Sequence, residues 1–239
     1  MKNISLIYVL AMAFAFVSCD KNSKQQLKPE DVLVQDVLTK EQRDALTPDQ
    51  IIQSFKEGNA RFMNNDLTKR DHSAQVRKSV KGQYPQAVVL SCLDSRVPVE
   101  DVFDRGIGDI FVGRVAGNFV NEDLLGNMEF GCKVARAKVI MVLGHEHCGA
   151  VKSAIDNLEL GNITAMLSKI KPAVKKTTYQ GEKSSKNEEY VHKVCQSNVE
   201  HTIEQIRKNS PILKEMEDKG EIKIVGGIYD MDTGKIDFL

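Results

Sequence analysis

The sequence predicts an α/β fold, a mainly parallel β-sheet flanked by helices, with helices ahead of the first strand. Three observations carry this. The runs Gln86 to Ser91, Ile110 to Val115 and Val139 to Leu143 are short and apolar, with β-branched residues in each, as strands buried on both faces require. Segments with helical spacing of apolar residues alternate with them. Finally, 239 residues with 41% hydrophobic and 28% charged content match one ordinary folded domain.

In chain order, Thr47 to Asn64 is predicted helical, with Pro48 near its start and Ile51, Ile52, Phe55, Ala60 and Phe62 along one stripe. Leu67 to Lys81 is polar and reads as chain extended over the surface. Asp123 to Ala137, Gly149 to Leu158 and Asn187 to Lys208 have helical patterns, and Pro211 opens a further short helix. Ile222 to Tyr229 and Lys235 to Phe238 read as strands joined by the turn Asp230 to Gly234.

The N-terminus has a different character. Lys2 precedes an uncharged apolar run from Ile4 to Val17, short for a membrane span but suited to a signal peptide. The run ends in Phe16-Val17-Ser18-Cys19, which resembles the bacterial lipobox, with Phe16 where leucine is usual. The sequence thus divides into a signal peptide over 1–18, a lipid-anchored tether over 19–46 and the domain that carries the chemistry over 47–239. Acylated Cys19 makes the protein an exported, periplasmic or cell-envelope lipoprotein that touches the membrane only through its anchor. The alternative is an ordinary cleaved signal with Cys19 incidental. A formal net charge of zero gives no reason to expect nucleic acid as a partner. Export permits disulfides, yet Cys92, Cys132, Cys148 and Cys195 are too few to staple a chain of this size. Cys132 and Cys195 read as buried thiols.

Two short motifs carry the chemistry: Ser91-Cys92-Leu93-Asp94-Ser95-Arg96 and Gly144-His145-Glu146-His147-Cys148-Gly149. Each follows a predicted buried strand, so both emerge at the C-terminal edge of one parallel sheet. Two thiolates and an imidazole suit zinc, and three protein ligands leave the open position of a catalytic site. A structural site closed by His147 is the alternative. Asp94 could ligate the metal or accept a hydrogen bond beside it, and Arg96 can pair with Asp94 bidentately and hold it off the ion.

Cys-x-Asp-Ser-Arg followed by Gly-His-x-x-Cys-Gly resembles the β-class carbonic anhydrases, over roughly Asn59 to Leu160. The resemblance implies a parallel-cored mixed sheet and a homodimer or homotetramer with N-terminal helices reaching across to the partner. It implies one Zn²⁺ per chain on Cys92, His145 and Cys148, with Asp94 and Arg96 as the catalytic pair and Asp94 a fourth ligand in an inactive state. It implies reversible hydration of carbon dioxide to bicarbonate and a proton by zinc-bound hydroxide. Gln83 falls where plant-type relatives place a glutamine that binds substrate, Phe111 resembles the family's apolar pocket wall, and Gly149 offers a backbone amide at a helix N-terminus. Val115, Phe130 and Leu93 are further pocket candidates.

Phe130 departs from the pattern, since many plant-type relatives carry tyrosine there. A second branch of the family uses a tryptophan-containing bicarbonate site as an off switch, and a chain without tryptophan cannot build it. His147 is a proton-relay candidate, while His192 and His201 read as surface or interface residues. Competing readings are a zinc enzyme of the same fold acting on carbon disulfide or carbonyl sulfide, and a non-catalytic zinc-binding lipoprotein.

Overall fold

A computed structural model describes residues 33–239; the signal peptide, Cys19 and the tether expected from the sequence fall, up to residue 32, outside the described residues. Five strands form one sheet in the order β2-β1-β3-β4-β5: β1 Ala87–Ser91, β2 Ile110–Arg114, β3 Val139–His145, β4 Lys223–Tyr229 and β5 Ile236–Phe238. The first four run parallel and β5 returns antiparallel to β4. Ser91 stands opposite Arg114 and Leu143, so β1, β2 and β3 reach the same edge of the sheet together.

Burial on both faces explains the unbroken apolar runs. On one face Ala87, Val89, Val139, Met141 and Leu143 pack against Ile51 and Phe55 of α2 (Pro48–Met63), with Val99 and Val102 of α4 (Val99–Val102). On the other, Val88, Leu90, Ile140 and Val142 meet Val194 and Val199 of the long helix α9 (Glu188–Asn209). The helix α9 lies close because Gly144 has no Cβ; one there would stand 2.6 Å from Val199 Cγ2. The same face is completed by α5 (Glu122–Glu129), α6 (Gly149–Ile155), α7 (Gly161–Leu167), α8 (Lys171–Lys176) and α10 (Pro211–Asp218). Among the described residues no helix is long and apolar enough to cross a membrane.

The structure departs from the sequence reading in three places. The domain begins before Thr47: Val34 bridges to Arg70, and α1 (Lys40–Ala45) carries a buried Arg43 that donates to Ala135 O. The stretch read as extended holds α3 (His72–Ser79), capped by the Asp71 side chain on Ala74 N. The helix read over 123–137 gives way at Phe130 to a wide π turn through Val134, in which Ala135 N donates to Phe130 O. Helices α1 and α2 make contacts with the chain's own domain, Ile51 and Phe55 in the core and Asp44 O accepting from Lys138 Nζ.

Candidate metal centre

The chain leaves β1 for β2 on one side and later places β3 on the other, so the loops after β1 and β3 diverge and open a crevice at their C-terminal ends. Cys92 follows β1 directly, His145 is the last residue of β3, and Cys148 is the N-cap of α6. One ligand atom from each lies within 4.8 Å of the others, and all three residues are buried. The two sulfurs are 3.9 Å apart.

His145 Nδ1 stands 2.8 Å from Glu146 O. A carbonyl only accepts, so Nδ1 carries the proton and Nε2 presents its lone pair. His145 is buried and Nε2 has no hydrogen-bond partner within the protein. A buried acceptor left without a partner marks a missing group, and with two sulfurs beside it the donor set fits zinc. Hydrogen bonding from Cys148 draws the Cys92 thiol below its usual range, with His145 and the Gly117 amide adding to the effect. The same shared bond, together with burial, pushes Cys148 up. The pair thus releases one proton readily and the second only against a cation, as a divalent ion supplies.

Asp94 and Arg96 form the pair read from sequence. Arg96 Nε donates to Asp94 Oδ1 at 3.0 Å and Nη2 to Oδ2 at 2.7 Å, and the Arg96 amide adds a bond to Oδ1 at 3.0 Å. This holds the Asp94 carboxyl at about 2. Asp94 Oδ2 stands 3.9 Å from His145 Nε2, beside the donor cluster and outside it.

Three supporting residues were missed in the sequence. Arg114, closing β2, donates to Cys92 O at 3.0 Å, to Asp94 O at 3.3 Å and to Val97 O at 2.6 Å, and so clamps the loop that carries the pair. An arginine ending an apolar strand was the available signal. Gly117 donates its amide to Cys92 Sγ at 3.3 Å. It lies at φ +84°, and a Cβ there would come within 2.3 Å of Ile170 Cδ1, so only glycine fits. Asn198 of α9, fully buried, donates Nδ2 to Gly117 O at 2.8 Å.

Other candidates lie elsewhere. Gln83 is exposed ahead of β1, while Cys92 follows it, so the strand's length, roughly 13 Å, separates them. Phe111 is in register with Val88, far back along the sheet from Ser91, and its ring meets Phe130 at 6.4 Å between centroids. Within one chain neither reaches the donors, because Gln83 precedes β1 and Phe111 sits in the N-terminal half of β2. Leu93 is exposed and Val115 packs against the α9-side core. Gly149 begins α6 with open space where a Cβ would be. His147 turns to Glu188 Oε1 at 3.8 Å, and His192 pairs with Glu146 at 3.0 Å. The His201 side chain is mostly buried, against the surface reading. Cys132 and Cys195 are free buried thiols, each pushed up to about 12 by burial.

Residues 87–236 match the family described as carbonic anhydrase. The carbonic anhydrase of Mycolicibacterium smegmatis is 32% identical over 77% of this chain and 89% of its own length. Carbonic anhydrase 2 of Mycobacterium tuberculosis is 33% identical over 76% of this chain and 88% of its own. Among solved structures, a tetrameric β-carbonic anhydrase of Sordaria macrospora superposes with a TM-score of 0.60 at 24% identity, covering 69% of this chain and 85% of that one. The Coccomyxa β-carbonic anhydrase in complex with acetazolamide gives 0.62 at 24%, covering 79% and 84%. With the matched segment spanning the four parallel strands and all three metal donors, the chain belongs to the carbonic anhydrase family, in its β class.

Proposed function

We propose that the metal centre catalyses the reversible hydration of carbon dioxide to bicarbonate and a proton. The observation that carries this is a buried cluster of three donors among the described residues, with an ionised carboxylate fixed beside it. Cys92, His145 and Cys148 would hold Zn²⁺, which would supply Lewis acidity and lower the pKa of water at the site. Asp94 is acceptor-only and orients a reacting oxygen by taking its hydrogen bond. Arg96 occupies both Asp94 oxygens and keeps the carboxylate turned toward itself. Stopped-flow hydration of carbon dioxide, read with a pH indicator, should show fast acidification by the zinc-loaded protein and none by Cys92→Ser. One bound zinc without acidification would favour another small substrate, such as carbonyl sulfide, or a non-catalytic zinc protein.

The same reading includes a homodimer or homotetramer. β2 is an edge strand, and an apolar cavity of about 230 Å³ opens beside it against Phe111, Leu124, Met128 and Phe130. Phe130 is 57% exposed, a large apolar surface for an isolated chain. Covering it with a second copy would let that copy bring Gln83 and Phe111 to a metal centre they cannot reach in their own chain. Phe130→Asp should then shift the sedimenting species toward monomer.

Export with an acyl anchor on Cys19 is supported by the apolar run Ile4 to Val17 and the Ser18-Cys19 junction. Metabolic labelling with a fatty acid should be lost in Cys19→Ala; labelling that persists would remove the anchor from this reading.

A further inference from the structure

We infer that the cavity between α5, α8 and α9 is a second ligand site, separate from the metal centre, for a small monocarboxylate with an apolar tail. The cavity is about 450 Å³, a size suited to small molecules, and none of the three metal donors lines it.

Its floor is α9. Thr202 lines the cavity, is 1% exposed, and its Oγ1 has no hydrogen-bond partner. A helical threonine commonly returns its hydroxyl to the carbonyl one turn back; here that bond is absent and the hydroxyl is left for something else. The neighbouring His201 also lines the cavity, and its Nδ1 is likewise without a hydrogen bond, 3.7 Å from Glu204 Oε2. The buried Thr202 hydroxyl, left without a partner on the cavity side of this helix, points to a polar group that the chain does not supply.

The rest of the lining defines that group. Lys169 is the one lysine or arginine among the lining residues, and it has no ion partner among the described residues. Glu122 lies in the first turn of α5, where the helix dipole holds a carboxylate. One ammonium and one carboxylate in the same lining admit a single negative charge and disfavour a dianion. Phe119, Leu125 and Pro172 supply an apolar wall. A carboxylate set between Lys169 and Thr202, with its tail on that wall, satisfies both halves of the cavity. The site also adjoins the metal centre's support: Phe119 follows closely on Gly117, and α9 carries both Thr202 and Asn198.

The test is an amide-shift NMR titration of the zinc-loaded protein with sodium butyrate. Saturable shifts confined to residues 119–122 and 201–205 are expected, with butyramide and succinate each at least tenfold weaker. Lys169→Ala, an exposed change, and Thr202→Val, an isosteric one, should each weaken butyrate at least tenfold while thermal melting stays unchanged. Absence of saturable shifts in those segments overturns the proposal. So does butyrate binding that survives both variants, which would place the carboxylate at the metal. The readout does not use turnover, so its failure is distinct from failure of the carbon dioxide reading.

Discussion

Two aspartates, Asp94 and Asp104, are both held by arginine and both have their carboxyls drawn down, yet their bonding suits them to different roles. Asp104 takes four bonds from three residues: Arg61 Nε at 2.6 Å, Arg70 Nη1 at 2.5 Å, Thr68 N at 3.1 Å and Thr68 Oγ1 at 2.6 Å. Its side chain is wholly buried. Every lone-pair direction is spent on tying the segment around residue 70 to the loop after α4. Asp94 takes three bonds, all from Arg96, and keeps spare acceptor capacity on Oδ2, the oxygen nearer His145 Nε2. The lesson is that partner chemistry does not separate a structural carboxylate from a working one. Exhausted acceptor capacity and bonds from remote segments mark the first; a local clamp with a free lone pair at a metal centre marks the second.

The contrast breaks first at Asp94. Asp94→Asn should lower kcat/KM on the order of a thousandfold, about 4 kcal/mol. The partly exposed pair with Arg96 should cost less than about 1 kcal/mol of stability. Full activity with zinc retained would end its orienting role. Asp104→Asn should do the opposite. Asn tolerates the φ of +51° at this position, so the change isolates charge from backbone strain. Unfolding free energy measured in denaturant should fall by about 3 kcal/mol, the low end for a broken buried pair because Arg61 is 36% exposed. Turnover per folded molecule should hold.

Acid sharpens the same comparison. Burial alone would raise the Asp104 carboxyl, but bonds from Thr68, Arg70 and Arg61 outweigh it and the net shift is downward. A depressed folded value contributes stability above the unfolded carboxyl's own range, near 3.8, and loses it as pH falls toward the folded value. Wild-type stability should therefore decline below about pH 4. The decline should be shallower in Asp104→Asn, measured as the denaturation midpoint against pH. Equal slopes would assign the acid loss to other carboxylates.

Much of this was legible in the sequence where local pattern and final environment agree. The apolar runs before Cys92 and His145 fixed two strands of one parallel sheet, and that alone put both residues at one edge. Pro48 and the stripe Ile51-Phe55 announced α2 within a residue of its observed ends. What stayed hidden depends on partners distant in sequence. The polar helix α3 is held partly by Gln75, whose side chain bonds Asp36 O and meets Ile107 N. No periodicity in Leu67 to Lys81 reports those contacts. Gln83 and Phe111 were read as site residues from resemblance, and one chain alone leaves both too far back along the sheet to serve.

The Gly117 connection was hidden for the same reason and yields the smallest effect. Asn198 is 81 residues from Gly117, whose peptide it holds, and Gly117 in turn donates to a metal-ligating sulfur. A hydrogen bond to a thiolate lowers its basicity and fixes where it points, so this amide sets how Cys92 presents itself to zinc. Asn198→Ala leaves the peptide oxygen without its buried donor and lets the loop relax. Zinc affinity, measured by competition with a chelator, should fall about tenfold, or about 1.4 kcal/mol. Asn198→Asp keeps the size but offers no donor, so it should lose as much, which separates the hydrogen bond from packing. If alanine weakens zinc and aspartate does not, Asn198 acts through volume alone and the link from α9 to the metal centre is one of packing.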